Sequence, residues 1–186
     1  DYDNSESHYI LVQVPDAFDR KRRCLLVAPS SGSRGVYGAI AVAGAWGLPK
    51  GCAVAYTDKG TGAAPHDLQA DTVGLIDGSR ASAAAAGALA QFNAGLTPAE
   101  LASFNAATPN RFAFKHAHSG QNPEKDWGRH TLAAVRLALY AINQQYGELN
   151  DKGERTVRFT GANTLVIASG VSNGGGAAIA AAELDS

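Results

Sequence analysis

One serine in the chain has surroundings that suit nucleophilic chemistry. Ser172 lies in residues 170–174, which read Gly-Val-Ser-Asn-Gly, a G-x-S-x-G pattern. The apolar run 164–169 before it predicts a buried strand, and the small residues 175–183 after it predict a helix. Glycines relieve crowding at such a strand-to-helix turn, where the serine hydroxyl is left exposed. We therefore predict that Ser172 is a nucleophile, the alternative being a serine in a tight turn without chemistry.

A nucleophilic serine attacking a carbonyl needs backbone donors for the oxyanion that forms. One donor in this kind of turn is the N–H of the residue after the serine, here Asn173. The other comes from a loop after an earlier strand, and the small residues of loop 29–35 suit it. Ser31 and Gly32 both remain candidates for that second donor.

The base and the acid that a nucleophilic serine needs are harder to identify in the sequence. A serine hydroxyl is a poor nucleophile until a base takes its proton, and in this motif the acid and histidine normally follow the serine. The chain ends at Ser186. A base in a rearranged order remains open, with His116 and His118 as its first candidates.

Other polar residues are candidates for the pocket. His116 and His118 form an H-x-H pair without a third spaced ligand, so we expect a polar loop lining a cleft and no metal site. Ser30 and Asp58 follow predicted strands and are further pocket-lining candidates. Ester hydrolysis needs no cofactor, and the spacing of Gly32, Gly35 and Gly38 does not fit a dinucleotide-binding loop.

The elements that must position these residues follow an α/β order. Strands alternate with helices, which predicts a mostly parallel sheet with flanking helices. The order matches the first half of an α/β-hydrolase fold, incomplete, with a long insertion after the third strand. We predict one partial domain over 1–186, with residues 63–125 as an insertion that lacks a buried strand. This insertion is a candidate lid over the site, the alternative being a peripheral decoration. The predicted strands are 9–14, 24–28, 52–57 and 164–169, and the predicted helices are 36–48, 126–146 and a short one after Thr97.

Composition excludes some partners. The net charge is −1 and no apolar run reaches the ~18 residues that span a bilayer, so we expect neither a nucleic-acid nor a membrane partner. Cys24 and Cys52 each begin an apolar run. A disulfide is possible if these runs are neighbouring parallel strands in matching register. We expect instead two buried free thiols.

Three blocks, 30–38, 55–62 and 166–175, resemble the bacterial D-(−)-3-hydroxybutyrate oligomer hydrolases, and the resemblance runs along nearly the whole chain. It implies a carboxylic-ester hydrolase that cuts oligomers to monomers in poly(3-hydroxybutyrate) degradation, more often secreted than cytoplasmic. It implies that Ser172 is the charge-relay serine. Members are several times longer, so this chain corresponds to an N-terminal portion. The acid and the base are then expected in the C-terminal part of the enzyme, in the same or another chain.

Two other interpretations stay open. The loop and the turn are also distantly similar to tannases and feruloyl esterases, which implies aromatic ester substrates. Alternatively, the chain is a non-catalytic piece completed by another polypeptide. We expect the 186-residue chain by itself to be inactive, because the acid and the base of the reaction are not identified in it.

Overall fold

The computed structural model describes residues 8–32, 35–62, 64–115 and 123–185. It divides into two compact units, one of Asp1–Gly60 with Pro123–Ser186 and one of Thr61–Asn122. The strands are β1 (Ile10–Gln13), β2 (Cys24–Pro29), β3 (Ala53–Thr57), β4 (His66–Asp67), β5 (Thr72–Gly74), β6 (Arg80–Ser82), β7 (Phe112–Ala113) and β8 (Leu165–Ala168). The α-helices are α1 (Ala45–Gly47), α2 (Ala83–Ala86), α3 (Pro98–Ala107), α4 (Trp127–Tyr146) and α5 (Asn173–Leu184).

The first unit is built on a four-stranded sheet in the order β1-β3-β2-β8. β2 is parallel to β3 and to β8, and β1 adds antiparallel at one edge. Every residue of β2 and β3 is buried, as expected of central strands covered on both faces. All four strands lie where the sequence predicts them, within one residue at each end.

Two apolar clusters lie on opposite faces of this sheet. Because side chains alternate along a strand, Leu25 and Val27 of β2 point to one face while Leu26 and Ala28 point to the other. α4 covers the first face through Ala134, Ala138 and Ile142. The second face is covered by a helical segment, 36–50, made of Val36–Ala39, Ile40–Gly44, α1 and Leu48–Lys50.

A disulfide joins Cys24 to Cys52, so the expectation of free thiols was wrong. Leu25 pairs with Ala53 in the parallel ladder, which brings the two preceding cysteines side by side. Their Cα atoms lie 4.6 Å apart, a separation that a disulfide bridges. The apolar runs alone do not specify this register.

The second unit has its own antiparallel sheet in the order β6-β5-β4-β7. The expectation that 63–125 lacks a buried strand was therefore wrong, since Val73 and His66 are buried within this sheet. Strands of two or three residues are too short to show a period in the sequence. The helix after Thr97 is confirmed as α3, with Thr97 and Glu100 forming the capping box that fixes its start.

No helix in the described part of the chain is long and apolar enough to cross a membrane.

Removing the Cys24–Cys52 bridge should lower the free energy of unfolding. The cysteines are 28 positions apart, and closing a loop of that size stabilises the folded state by about 3–4 kcal/mol. Urea denaturation followed by tryptophan fluorescence would measure this on oxidised wild-type protein and on the double variant C24A/C52A. Dithiothreitol should destabilise the wild type and leave the double variant unchanged. A wild-type transition that does not move on reduction would contradict the bridge.

Candidate active site

Ser172 stands at a strained turn between β8 and α5. Its backbone has φ +57° and ψ −132°, a conformation that residues other than glycine rarely adopt. The turn is closed by hydrogen bonds from Gly174 N–H to the Val171 carbonyl (3.0 Å) and from Gly175 N–H to the Ser172 carbonyl (2.9 Å). Ser172 itself is exposed. The turn therefore presents the residue to solvent at the carboxyl end of β8.

The two glycines of the motif are required by contacts with backbone. A Cβ on Gly170 would collide with the backbone of Gly174 and Gly175. A Cβ on Gly174 would lie 2.5 Å from the Pro29 carbonyl oxygen and 2.9 Å from that of Ser30. Gly174 therefore allows the start of α5 to lie directly against the end of β2.

The side chain of Asn173 links this turn to the loop after β2. Its Oδ1 accepts a hydrogen bond of 2.6 Å from the Gly32 N–H. The sequence argument used only the backbone N–H of Asn173 and missed this role of the side chain. Of the two candidate loop donors, the Gly32 N–H is thus already engaged, while the Ser31 N–H donates to no acceptor among the described residues.

A small cavity of about 90 Å³ lies between the ends of β2 and β8. Ser31 lines it from the loop, and Gly170 and Val171 line it from the turn. The rest of its wall is formed mainly by small residues of β2 and of the helical segment 36–50. These are Ala28, Pro29, Gly38, Ala39, Val42 and Ala43.

Asp58 and Ser30, both candidates for the pocket, are fully buried. Asp58 Oδ1 accepts hydrogen bonds from Tyr9 N–H (2.9 Å) and from Gly60 N–H (3.0 Å). The Ser30 N–H donates to the Thr57 carbonyl (2.9 Å). Asp58 thus stabilises the turn after β3, and Ser30 attaches the loop after β2 to the end of β3.

Lys59 was not singled out from the sequence, yet it is fully buried beneath the same loop. Its Nζ donates to the Gly32 carbonyl (3.1 Å) and to Ser30 Oγ (3.4 Å). It also lies 4.8 Å from the centre of the Trp127 ring, within the range of a cation–π contact. Burial lowers the pKa of the Lys59 ammonium to about 8, and the Asp58 carboxylate opposes this shift.

The described histidines, His8, His66 and His130, make contacts that stabilise the fold. His66 accepts the Ala94 N–H at Nδ1 (3.2 Å), so its proton sits on Nε2, which contacts Asp71 Oδ1 at 3.0 Å. Both ring nitrogens of His66 are thereby engaged. His130 is fully buried and stacks on His8 with ring centres 4.2 Å apart.

His116 and His118 lie outside the described residues. Among the residues that the structure does describe, no three His, Cys, Asp or Glu side chains are grouped to hold a metal ion.

Comparison with known proteins identifies the family. The family model for 3HB-oligomer hydrolases matches residues 1–186. This chain belongs to the 3HB-oligomer hydrolase family. A D-(−)-3-hydroxybutyrate oligomer hydrolase of Paracidovorax citrulli is 67% identical over 95% of this chain and 25% of its own length. The enzymes of the same name from Cupriavidus metallidurans and Ralstonia pickettii are 62% and 60% identical, each over 95% of this chain and 24% of their length.

This member of the family therefore spans about a quarter of the length of the curated relatives it matches. No solved structure matches the chain. The resemblance seen in the sequence blocks is confirmed at the level of the family.

The glycine contacts predict two different outcomes among three glycine-to-alanine variants. Gly170→Ala and Gly174→Ala should each destabilise the protein by roughly 1–3 kcal/mol, because the added methyl meets backbone that cannot move aside. Gly176→Ala is the matched control, since a Cβ there meets nothing within 4 Å.

Replacing Gly176 within α5 should leave stability unchanged or raise it by about 0.5–1 kcal/mol, the usual gain of alanine over glycine in a helix. Urea denaturation of the three variants would measure these differences. Equal stability of Gly174→Ala and Gly176→Ala would contradict the close approach of α5 to β2.

Proposed function

We propose that the complete protein is a serine carboxylic-ester hydrolase that cleaves D-3-hydroxybutyrate oligomers to monomers. The observation that carries the proposal is the strained, exposed Ser172 at the turn into α5, tied to the loop after β2 by the Asn173–Gly32 hydrogen bond. The names of the relatives support the substrate class. The neutral ester chain of such an oligomer also suits a cavity lined by small apolar residues.

We also propose that the first unit is the first half of an α/β-hydrolase fold. Parallel pairing of β3, β2 and β8, helices on both faces and a serine at a strand–turn–helix junction support it. In open α/β sheets, ligands bind beyond the carboxyl ends of the strands where successive connections diverge. β2 is such a place, because β3 lies on one side of it and β8 on the other.

The proposed reaction proceeds through an acyl-enzyme. Ser172 Oγ attacks the ester carbonyl carbon while a histidine takes its proton, and the carbonyl oxygen becomes an oxyanion. The N–H groups of Asn173 and Ser31 are the proposed donors to that oxyanion, with α5 adding the positive end of its dipole. The histidine then protonates the departing hydroxyl of the next hydroxybutyrate unit. Water, activated by the same histidine, hydrolyses the acyl-enzyme.

We place the acid and the base of this reaction in polypeptide beyond the chain described here. His66 has no ring nitrogen left to accept a proton from a serine, and His130 is packed against Gly60, where an added Cβ would lie 2.9 Å from its ring. The exposure of the edge strand β8 also supports the presence of further polypeptide. β8 is apolar, yet Leu165 is 54% exposed, as is expected of a strand that further polypeptide covers.

The proposed setting is an oxidising compartment. The Cys24–Cys52 disulfide supports it, since disulfides persist in secreted and periplasmic proteins and are rare in the cytosol.

Replacing Ser172 with alanine in the full-length protein should abolish turnover of a 3-hydroxybutyrate trimer. Removing the nucleophile of a serine hydrolase lowers kcat by roughly 10⁶-fold. Release of the monomer, measured by chromatography, would test this. Ser103→Ala, an exposed position in α3, is the control and should retain full activity.

Unchanged trimer hydrolysis by Ser172→Ala would overturn the mechanism. Faster hydrolysis of aromatic esters such as methyl ferulate than of the trimer would instead favour a tannase-like or feruloyl-esterase-like substrate.

The 186-residue chain by itself should hydrolyse activated esters such as p-nitrophenyl butyrate no faster than its Ser172→Ala variant. The reason is that the described histidines are engaged in structural contacts. Activity that depends on Ser172 would show that a histidine of this chain completes the triad, and His116→Ala and His118→Ala would then identify it.

A further inference from the structure

Lys59 is a buried charge that the proposed reaction does not use directly. It follows the end of β3 with a backbone φ of +51°, and its own N–H donates to Thr57 Oγ1 (3.1 Å). This fixed start directs the side chain under the loop after β2 rather than into solvent. A buried ammonium is costly unless each of its donors finds a partner.

The Lys59 ammonium has close contacts with three groups. Its Nζ donates to Gly32 O and Ser30 Oγ and lies 4.8 Å from the centre of the Trp127 ring. The charge-assisted bonds are stronger than those between neutral groups. The residues they contact, Ser30 and Gly32, directly flank Ser31.

The loop is therefore held from two sides. Lys59 binds the Gly32 carbonyl from the end of β3, while Asn173 binds the Gly32 N–H from the start of α5. The Ser31 N–H belongs to the peptide between Ser30 and Ser31, and the peptides on both sides of it are held, because the Ser30 N–H donates to the Thr57 carbonyl and the Gly32 N–H donates to Asn173 Oδ1. Lys59 adds bonds to Ser30 Oγ and to the Gly32 carbonyl, so the peptide that carries the Ser31 N–H has little freedom to rotate. A backbone N–H stabilises an oxyanion when it points at the position where the negative charge develops, so the orientation of the donor determines its effect on the rate.

We propose that Lys59 is a positioning residue for the oxyanion hole, holding the Ser30–Gly32 loop so that the Ser31 N–H points at the developing oxyanion. This inference rests on the proposed function of Ser172. Lys59 acts through the loop and does not touch the substrate.

The test compares kcat and KM for the 3-hydroxybutyrate trimer in full-length wild-type, Lys59→Met and Lys50→Met proteins. Methionine keeps the unbranched stem of Lys59 and removes its donors. Lys59→Met should lower kcat by about tenfold to a hundredfold and change KM by less than about threefold, because only transition-state stabilisation is lost. Lys50→Met should behave as wild type, since Lys50 is exposed and its Nζ faces Trp46 at 5.3 Å.

A second readout separates loop positioning from a purely structural role. An alkylboronic acid forms a tetrahedral adduct with a catalytic serine and directs an oxygen at the oxyanion donors. Its inhibition constant should rise in Lys59→Met by the factor by which kcat/KM falls. An unchanged inhibition constant beside a reduced kcat would overturn the proposal.

A third variant covers the case in which Lys59→Met fails to fold. Ser30→Ala removes one acceptor of the ammonium and should lower kcat by about twofold to fivefold. Where Lys59→Met does fold, adding Ser30→Ala to it should have little further effect. Wild-type kcat in Lys59→Met, or in Ser30→Ala where only that variant folds, would contradict the role of Lys59. Lack of trimer hydrolysis by the wild type, or full activity of Ser172→Ala, would instead contradict the proposed function.

Discussion

The candidate site depends on how closely the start of α5 approaches the end of β2. β2 and β8 pair directly in the sheet, so their carboxyl ends meet at one edge. Gly174 then brings the backbone of α5 against Pro29 and Ser30, an approach that any larger residue would prevent. Asn173 can reach the Gly32 N–H only because of this contact. A few ångströms more between the two elements would separate Ser172 from the loop that carries Ser31 and Gly32.

Much of this arrangement is present in local sequence patterns. The four long apolar runs, the helix 126–146 and the cap at Thr97 each follow from periodicity or capping chemistry within a short window. The strand-to-helix turn at Ser172 is also predictable, since its glycines, the strand before it and the helix after it are all local features. Glycine is needed on both sides of Ser172 because a Cβ at either position would collide with nearby backbone in this turn.

What the sequence did not predict depends on register and on contacts between distant residues. The disulfide requires Cys24 and Cys52 to fall opposite each other, and a shift of one residue between β2 and β3 would separate them. The short strands of 61–122 are defined by their ladder partners rather than by their own period. The Asn173 and Lys59 contacts join residues that are 141 and 27 positions apart, respectively, and no local pattern encodes them.

The buried ammonium of Lys59 restricts the loop after β2 at a cost in stability. A well-packed apolar side chain at this position would avoid desolvation of a charge and often gives equal or greater stability. Stability alone therefore does not explain a lysine whose pKa burial lowers to about 8. Its bonds to the Gly32 carbonyl and to Ser30 Oγ instead hold the two residues that flank Ser31. Displacement of a catalytic donor by about an ångström can cost a hundredfold in rate. If the Ser31 N–H is the oxyanion donor that we propose, hydrogen bonds that fix its loop justify the cost of burying the Lys59 charge.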